Sequence, residues 1–90
     1  MSNISYRSRD GAHYFSFRFV ANGDVIDIEV VSMPNLNGQD PDPQFTHLYP
    51  SGKICFVPGK APTDTTRAQE MAAEWAEYIC EYRKTGVPQC

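Results

Sequence analysis

Residues 13–20 alternate cleanly, with Phe15, Phe17 and Phe19 on one side and Tyr14, Ser16 and Arg18 on the other. That is the two-residue period of a half-buried strand. Residues 25–31 repeat it, Ile26, Ile28 and Val30 facing one way and Asp27 and Glu29 the other. Asn22 and Gly23 between them form the pair that tolerates the positive φ angles of a tight hairpin. Residues 4–9 are a weaker candidate strand, joined to the next by Asp10 and Gly11. An antiparallel meander of three to four strands is therefore expected, most of it within residues 1–31.

The pattern then breaks. Residues 33–43 hold Pro34, Pro41 and Pro43 without sustained periodicity, which reads as an irregular crossing over one end of the sheet. Asp40 and Asp42 within it are read as turn formers, not as a ligand or acid–base pair. A second break follows at residues 58–62, so residues 32–62 as a whole are expected to be loop. The threonines and Asp64 of residues 63–66 offer several helix caps, and Thr66 with Gln69 fits a reciprocal capping box. The helix should run to about Lys84, with Arg83 and Lys84 at its negative end and Gly86 as a left-handed stop, filling residues 63–86. Ala68, Met71, Ala72, Trp75, Ile79 and Tyr82 recur at intervals of three and four, a stripe that should cover the sheet. Trp75 is read as core, not as a ligand contact. The fold class predicted is α+β: a meander packed against one long C-terminal helix, in a single domain.

Composition narrows the function. Ninety residues, 41% hydrophobic and 21% charged, describe one ordinary globular domain. A net charge of −3 with scattered cations argues against nucleic acid. No run approaches the ~20 apolar residues of a membrane span, and residues 1–6 have no apolar signal core. Cys55, Cys80 and Cys90 show no metal-binding spacing and are odd in number, so reduced thiols in a cytoplasm are expected. Two histidines without clustered carboxylates predict no metal centre. The absence of a glycine-rich phosphate loop or a Gly-x-Ser-x-Gly elbow sets aside nucleotide hydrolysis and serine esterase chemistry. No cofactor is expected.

Chemistry concentrates in residues 47–55, where His47 precedes Cys55 by eight positions across a Pro50-Ser51-Gly52 turn, just ahead of the helix. Cysteine is already a strong nucleophile with a small thiolate fraction at neutral pH, so a turn presenting Cys55 beside an imidazole suits acyl carriage. A lone cysteine followed by Phe56 and Val57 is more often a small buried hydrophobe than a catalyst.

The order of meander, Pro-rich crossing, histidine, glycine turn, Ile-Cys pair and helix resembles the catalytic half of ubiquitin-conjugating enzymes. His47, Gly52, Ile54 and Cys55 look like that family's His-Pro-Asn stretch followed by Gly-x-Ile/Leu-Cys. Short bacterial relatives are closer still, with a His-x-Tyr-Pro-x-Gly-x-Leu/Ile-Cys pattern ahead of a helix carrying Trp-x-x-x-Tyr-Glu and a Thr-Gly. The matching positions here are Trp75, Tyr78, Glu81, Tyr82, Thr85 and Gly86, and the likeness covers residues 45–86. The chain is shorter than the eukaryotic domain, so a truncated form of the fold is implied. The resemblance implies that Cys55 accepts a ubiquitin-like C-terminus as a thioester from an activating enzyme and passes it to an amine. Tyr49 stands where eukaryotic members have the oxyanion-stabilising asparagine, and is a candidate hydroxyl donor or a packed aromatic. His47 is a candidate acid–base group or a structural one. The alternatives are a non-catalytic binding module of the same fold and an unrelated α+β domain with a structural Cys55. A protein partner is expected over a small molecule.

Overall fold

A computed structural model describes residues 3–56 and 59–87. Pro58, part of the expected second break, and Cys90, one of the three expected reduced thiols, lie outside the described residues. Strands β1 (Asn3–Arg7), β2 (Tyr14–Asn22) and β3 (Val25–Ser32) form one antiparallel sheet in the order β1-β2-β3. The pairing sets apolar against apolar: Ile4 faces Phe17, Tyr6 faces Phe15, Phe19 faces Ile28 and Ala21 faces Ile26. A slip of one residue would turn all of these to water, so the alternation itself holds the register.

Helix α2 (Thr65–Thr85) covers that face. Phe15, Phe17, Ile28, Ile54 and Trp75 share one core cluster with Ala68, Ala72, Ala76 and Ile79 of the helix. The small alanines at four-residue spacing let the helix come down close, while the bulk is supplied by phenylalanines below. Trp75 meets Phe15 and Phe17 edge-on, each at 6.1 Å between centroids and 79° between planes. Such contacts add about 0.5–1.5 kcal/mol beyond simple burial. Ala76 belongs to the buried stripe although it was not among the stripe residues expected.

Two local expectations are corrected. The helix is capped by Asp64, whose carboxylate accepts from the Arg67 N–H at 2.7 Å, and Thr66 is already inside the first turn. The carboxylate outcompetes the threonine hydroxyl as an acceptor beside the positive helix end. Asp64→Ala should cost about 1 kcal/mol by thermal or urea denaturation, and Thr66→Ala less than about 0.5 kcal/mol. The other end is as predicted: Gly86 has φ 71° and its N–H donates to the Tyr82 carbonyl at 2.7 Å.

The second correction concerns the loop expected over residues 32–62, which contains a four-residue helix, α1 (Pro43–Thr46), at the end of the irregular crossing. Asp42 accepts from the Gln44 N–H at 2.9 Å and Pro43 takes the first helical position, where its missing N–H costs nothing. One turn is too short to leave a periodic signal. Asp40 in turn accepts from the Asp42 N–H at 2.9 Å, the turn role read from sequence.

A crossing of this kind lacks a ladder to satisfy its carbonyls. Helix α2 supplies donors instead, from side chains three and four residues apart. Trp75 Nε1 donates to the Thr46 carbonyl at 2.9 Å, the Tyr78 hydroxyl to the Phe45 carbonyl, and the Tyr82 hydroxyl to the Asp40 carbonyl at 2.7 Å. Arg83 Nε adds a bond to the Asn35 carbonyl at 2.8 Å. Among the described residues, every buried side-chain nitrogen or oxygen has a partner. Among the described residues no helix is long and apolar enough to cross a membrane.

Candidate active site

His47 ends α1 in the left-handed conformation, φ 57° and ψ 32°, with its N–H on the Pro43 carbonyl. This is an uncommon backbone for a non-glycine residue. It reverses the chain into a narrow hairpin over residues 47–55. The Cys55 N–H donates to the His47 carbonyl at 2.7 Å, Leu48 pairs with Ile54, and the Tyr49 N–H donates to the Lys53 carbonyl at 2.8 Å. At the tip the Gly52 N–H returns to the Tyr49 carbonyl at 2.9 Å, closing a four-residue turn with Pro50 second and Gly52 fourth. Gly52 has φ 95°, where a side chain would be strained.

The returning arm lies along the outer edge of β3. Val30 N–H donates to the Gly52 carbonyl at 2.8 Å and Ile54 N–H to the Ile28 carbonyl at 3.0 Å, with Glu29 opposite Lys53. This short pairing is what remains of an expected fourth strand. Ile54 enters the core at 6% exposure, and Cys55, next along, emerges half-buried beside α2.

Sequence position alone separates His47 from Cys55 by eight residues; the hairpin makes them backbone neighbours. Both line an open groove of about 290 Å³ whose far wall is Met71, Glu74, Trp75 and Tyr78 of α2. The His47 ring tilts against Tyr78 at 5.4 Å between centroids, so this histidine is seated on an aromatic wall. Tyr49 is 50% exposed and not packed as a core aromatic. Its hydroxyl acts on the Cys55 thiol by drawing the pKa of that thiol down.

Burial pushes the Cys55 thiol up from its ordinary value, and the Tyr49 hydroxyl pulls the other way by favouring the thiolate. Desolvation is the larger effect, so the thiol ionises above the usual cysteine range. The rate of iodoacetamide alkylation at Cys55 should accordingly keep rising at pH values where an unperturbed thiol has reached its plateau. Tyr49→Phe removes the favourable donor and should move that profile further to alkaline pH. Mass spectrometry resolved by peptide checks both.

Cys80 lies elsewhere, half-buried on α2, with its thiol also raised, chiefly by desolvation and then by the Glu77 carboxylate. His13 is remote from the groove and meets Arg83, its Nε2 lying 3.1 Å from Nη1. Among the described residues no three metal-ligating side chains converge. Of the helical wall, Met71 and Trp75 were expected as core stripe and Tyr78 entered through the family resemblance, whereas Glu74 was not singled out from the sequence. Its signal is the spacing of 71, 74, 75 and 78, which puts those residues on one flank of the helix beside the core stripe. Compared with protein-family models, with curated proteins and with solved structures, the chain finds no match.

Proposed function

We propose that this chain is a ubiquitin-conjugating-enzyme-like carrier, a truncated member of that fold, holding the C-terminal carboxyl of a ubiquitin-like protein as a thioester on Cys55. The observation that carries the reading is the surroundings of the sulfur: half-exposed in a groove it shares with His47, on a residue whose own N–H is fixed to the His47 carbonyl. The Cys55 thiolate attacks the acyl carbon of an activating enzyme's thioester. A new C–S bond forms and the activating enzyme's thiolate leaves. An acceptor amine later attacks the same carbon, the C–N bond forms, the C–S bond breaks, and one amine proton returns to the Cys55 sulfur.

A carrier does not need the most acidic thiol. A leaving thiol of high pKa departs more slowly, so a raised Cys55 protects the loaded thioester against loss to water until an amine is delivered. Tyr49 is placed to donate to the sulfur or to a developing oxyanion, and His47 to hold the loop and wall the groove. The partners are then a ubiquitin-like protein and its activating enzyme, in a reducing cytoplasm that keeps Cys55 free.

The test is loading from a neutral peptide thioester ending in glycine. Wild-type protein should gain the acyl mass on Cys55, reversed by excess thiol, with Cys80 unmodified. Modification of Cys80 in preference, or none at Cys55, overturns the proposal. One observation favours a second reading, a non-catalytic binding module: desolvation leaves Cys55 a smaller thiolate fraction at neutral pH. On that reading Cys55→Ser leaves partner binding intact and no acyl mass is ever carried.

A further inference from the structure

The two edges of the sheet are treated differently. Along β3 the edge is closed: the Ile26 N–H donates to the Pro62 carbonyl at 2.8 Å, the Val30 N–H to the Gly52 carbonyl at 2.8 Å, and the Ile28 carbonyl accepts from the Ile54 N–H at 3.0 Å. Strand β1 is the other edge, and no described residue bonds to the main-chain groups on its outer side. The register identifies those groups. Because Ile28 and Val30 turn their peptide groups to the closed edge, the residues opposite them in β2, Phe19 and Phe17, turn theirs toward β1. Phe17 faces Ile4, so Ile4 and, by alternation, Tyr6 bond inward. The Ser8 N–H, two residues beyond Tyr6, donates to the His13 carbonyl at 2.9 Å and so keeps the same phase. Asn3, Ser5 and Arg7 are left with their N–H and C=O groups facing outward. The usual guards of such an edge are missing from Asn3–Arg7, which holds no proline, no lysine, no bulge and no charge on its inner face. Just inside it lies an apolar cleft of about 220 Å³ between sheet and helix, lined by Ile4, Tyr6, Phe17, Phe19, Ala72 and Ala73.

We propose that a second copy of this chain pairs with β1, antiparallel about a twofold axis through Ser5, so that the two sheets become one continuous sheet. The outward groups are symmetric about that residue. Ser5 of one copy meets Ser5 of the other, and Asn3 meets Arg7, so every outward N–H and C=O of the strand finds a partner. Between them Ile4 is set against Tyr6 of the other copy, a β-branched residue against an aromatic, on the face that carries the cleft. Apolar side chains of each copy thus close over the other's cleft. Arg7 is the one charge in β1 and lies opposite a neutral asparagine, so no like charges meet. Shifting the register by one ladder step sets Ile4 or Tyr6 against itself and leaves outward groups unpaired. The Cys55 groove lies at the far edge, beside the hairpin that closes β3, and stays open in the pair. The inference therefore stands independently of the chemistry at Cys55.

Two five-residue strands make a small interface, so the dimer should be a weak one that populates between about 10 µM and about 1 mM. Sedimentation equilibrium over that range, with a reductant present to keep the thiols free, compares wild type with Ser5→Pro, Ser5→Lys and an equal mixture of Ser5→Lys and Ser5→Glu. Ser5→Pro deletes the outward N–H at the axis and leaves the ladder between β1 and β2 whole. Its dimer dissociation constant should rise more than about tenfold. Ser5→Lys sets two ammonium groups opposite each other at an exposed position and should weaken the dimer about fivefold. The mixture sets lysine against glutamate and should restore association to within about twofold of wild type or better. Circular dichroism verifies the fold of each variant, and if Ser5→Pro does not fold, the charge pair decides. A wild type that stays monomeric throughout overturns the proposal. So does a dimer that the folded Ser5 variants leave intact, which would lie on another surface, or a mixture that associates no better than Ser5→Lys alone, which would place the axis elsewhere.

Discussion

Trp75→Ala will destabilise this domain by about 3–5 kcal/mol, against a total stability of about 5–15 kcal/mol for a protein of ordinary size. A chain this short sits at the low end of such totals, so the variant should be largely unfolded at 37 °C. Two losses coincide at this residue. The indole is 6% exposed and meets both Phe15 and Phe17 edge-on, and its Nε1 satisfies the Thr46 carbonyl at the end of α1. Trp75→Phe separates them, retaining an aromatic ring but leaving that carbonyl without its donor, at about 1–3 kcal/mol. Urea denaturation measures the stability. Since Trp75 also lines the Cys55 groove, alkylation of Cys55 in the folded Phe variant should speed up. An unchanged rate would mean that the α1–hairpin unit is held by its other bonds alone.

Cys55→Ala will abolish acyl loading completely, whereas Cys55→Ser, if it loads, will give an oxygen ester resistant to thiols that cleave the wild-type adduct. The contrast follows from which bond holds the acyl group: a thioester exchanges with added thiol and an ester does not at neutral pH. Both substitutions should leave stability nearly unchanged, because the Cys55 side chain is half-buried at the groove and its structural bond is made by the main-chain N–H. Intact-mass analysis before and after thiol treatment reads the adduct, and circular dichroism verifies the fold. Loading that persists in Cys55→Ala would place the chemistry on another residue and remove the basis of the functional proposal.

The sheet was legible because Phe15, Phe17 and Phe19 alternate without interruption, and alternation is a property of the strand itself. The long helix was legible from its stripe and from Gly86. The cap was misplaced by two residues because several neighbouring side chains compete for one site and spacing does not rank a carboxylate against a hydroxyl. The four-residue helix left no period to detect. Ala76 was missed although it continues the four-residue spacing of Ala68 and Ala72, and close approach to the sheet favours a small side chain there. The hairpin that joins His47 to Cys55 was readable from Pro50 and Gly52, since a turn of that kind brings its flanks together locally. Glu74 was not, because its nearness to Cys55 arises only when α2 docks on the sheet, and tertiary packing leaves no mark in local sequence.

The bonds that α2 makes through Trp75, Tyr78 and Tyr82 end on main-chain carbonyls, not on side chains of the crossing. Peptide oxygens are the same whatever residue bears them, so the helix reads the crossing as a ruler reads distance. Exposed positions such as Pro41 and Gln44 can change chemistry without altering a single rung. Inserting or deleting one residue between Asp40 and Phe45 would put the two tyrosines out of step with each other. Length, not composition, is the quantity this part of the chain must keep.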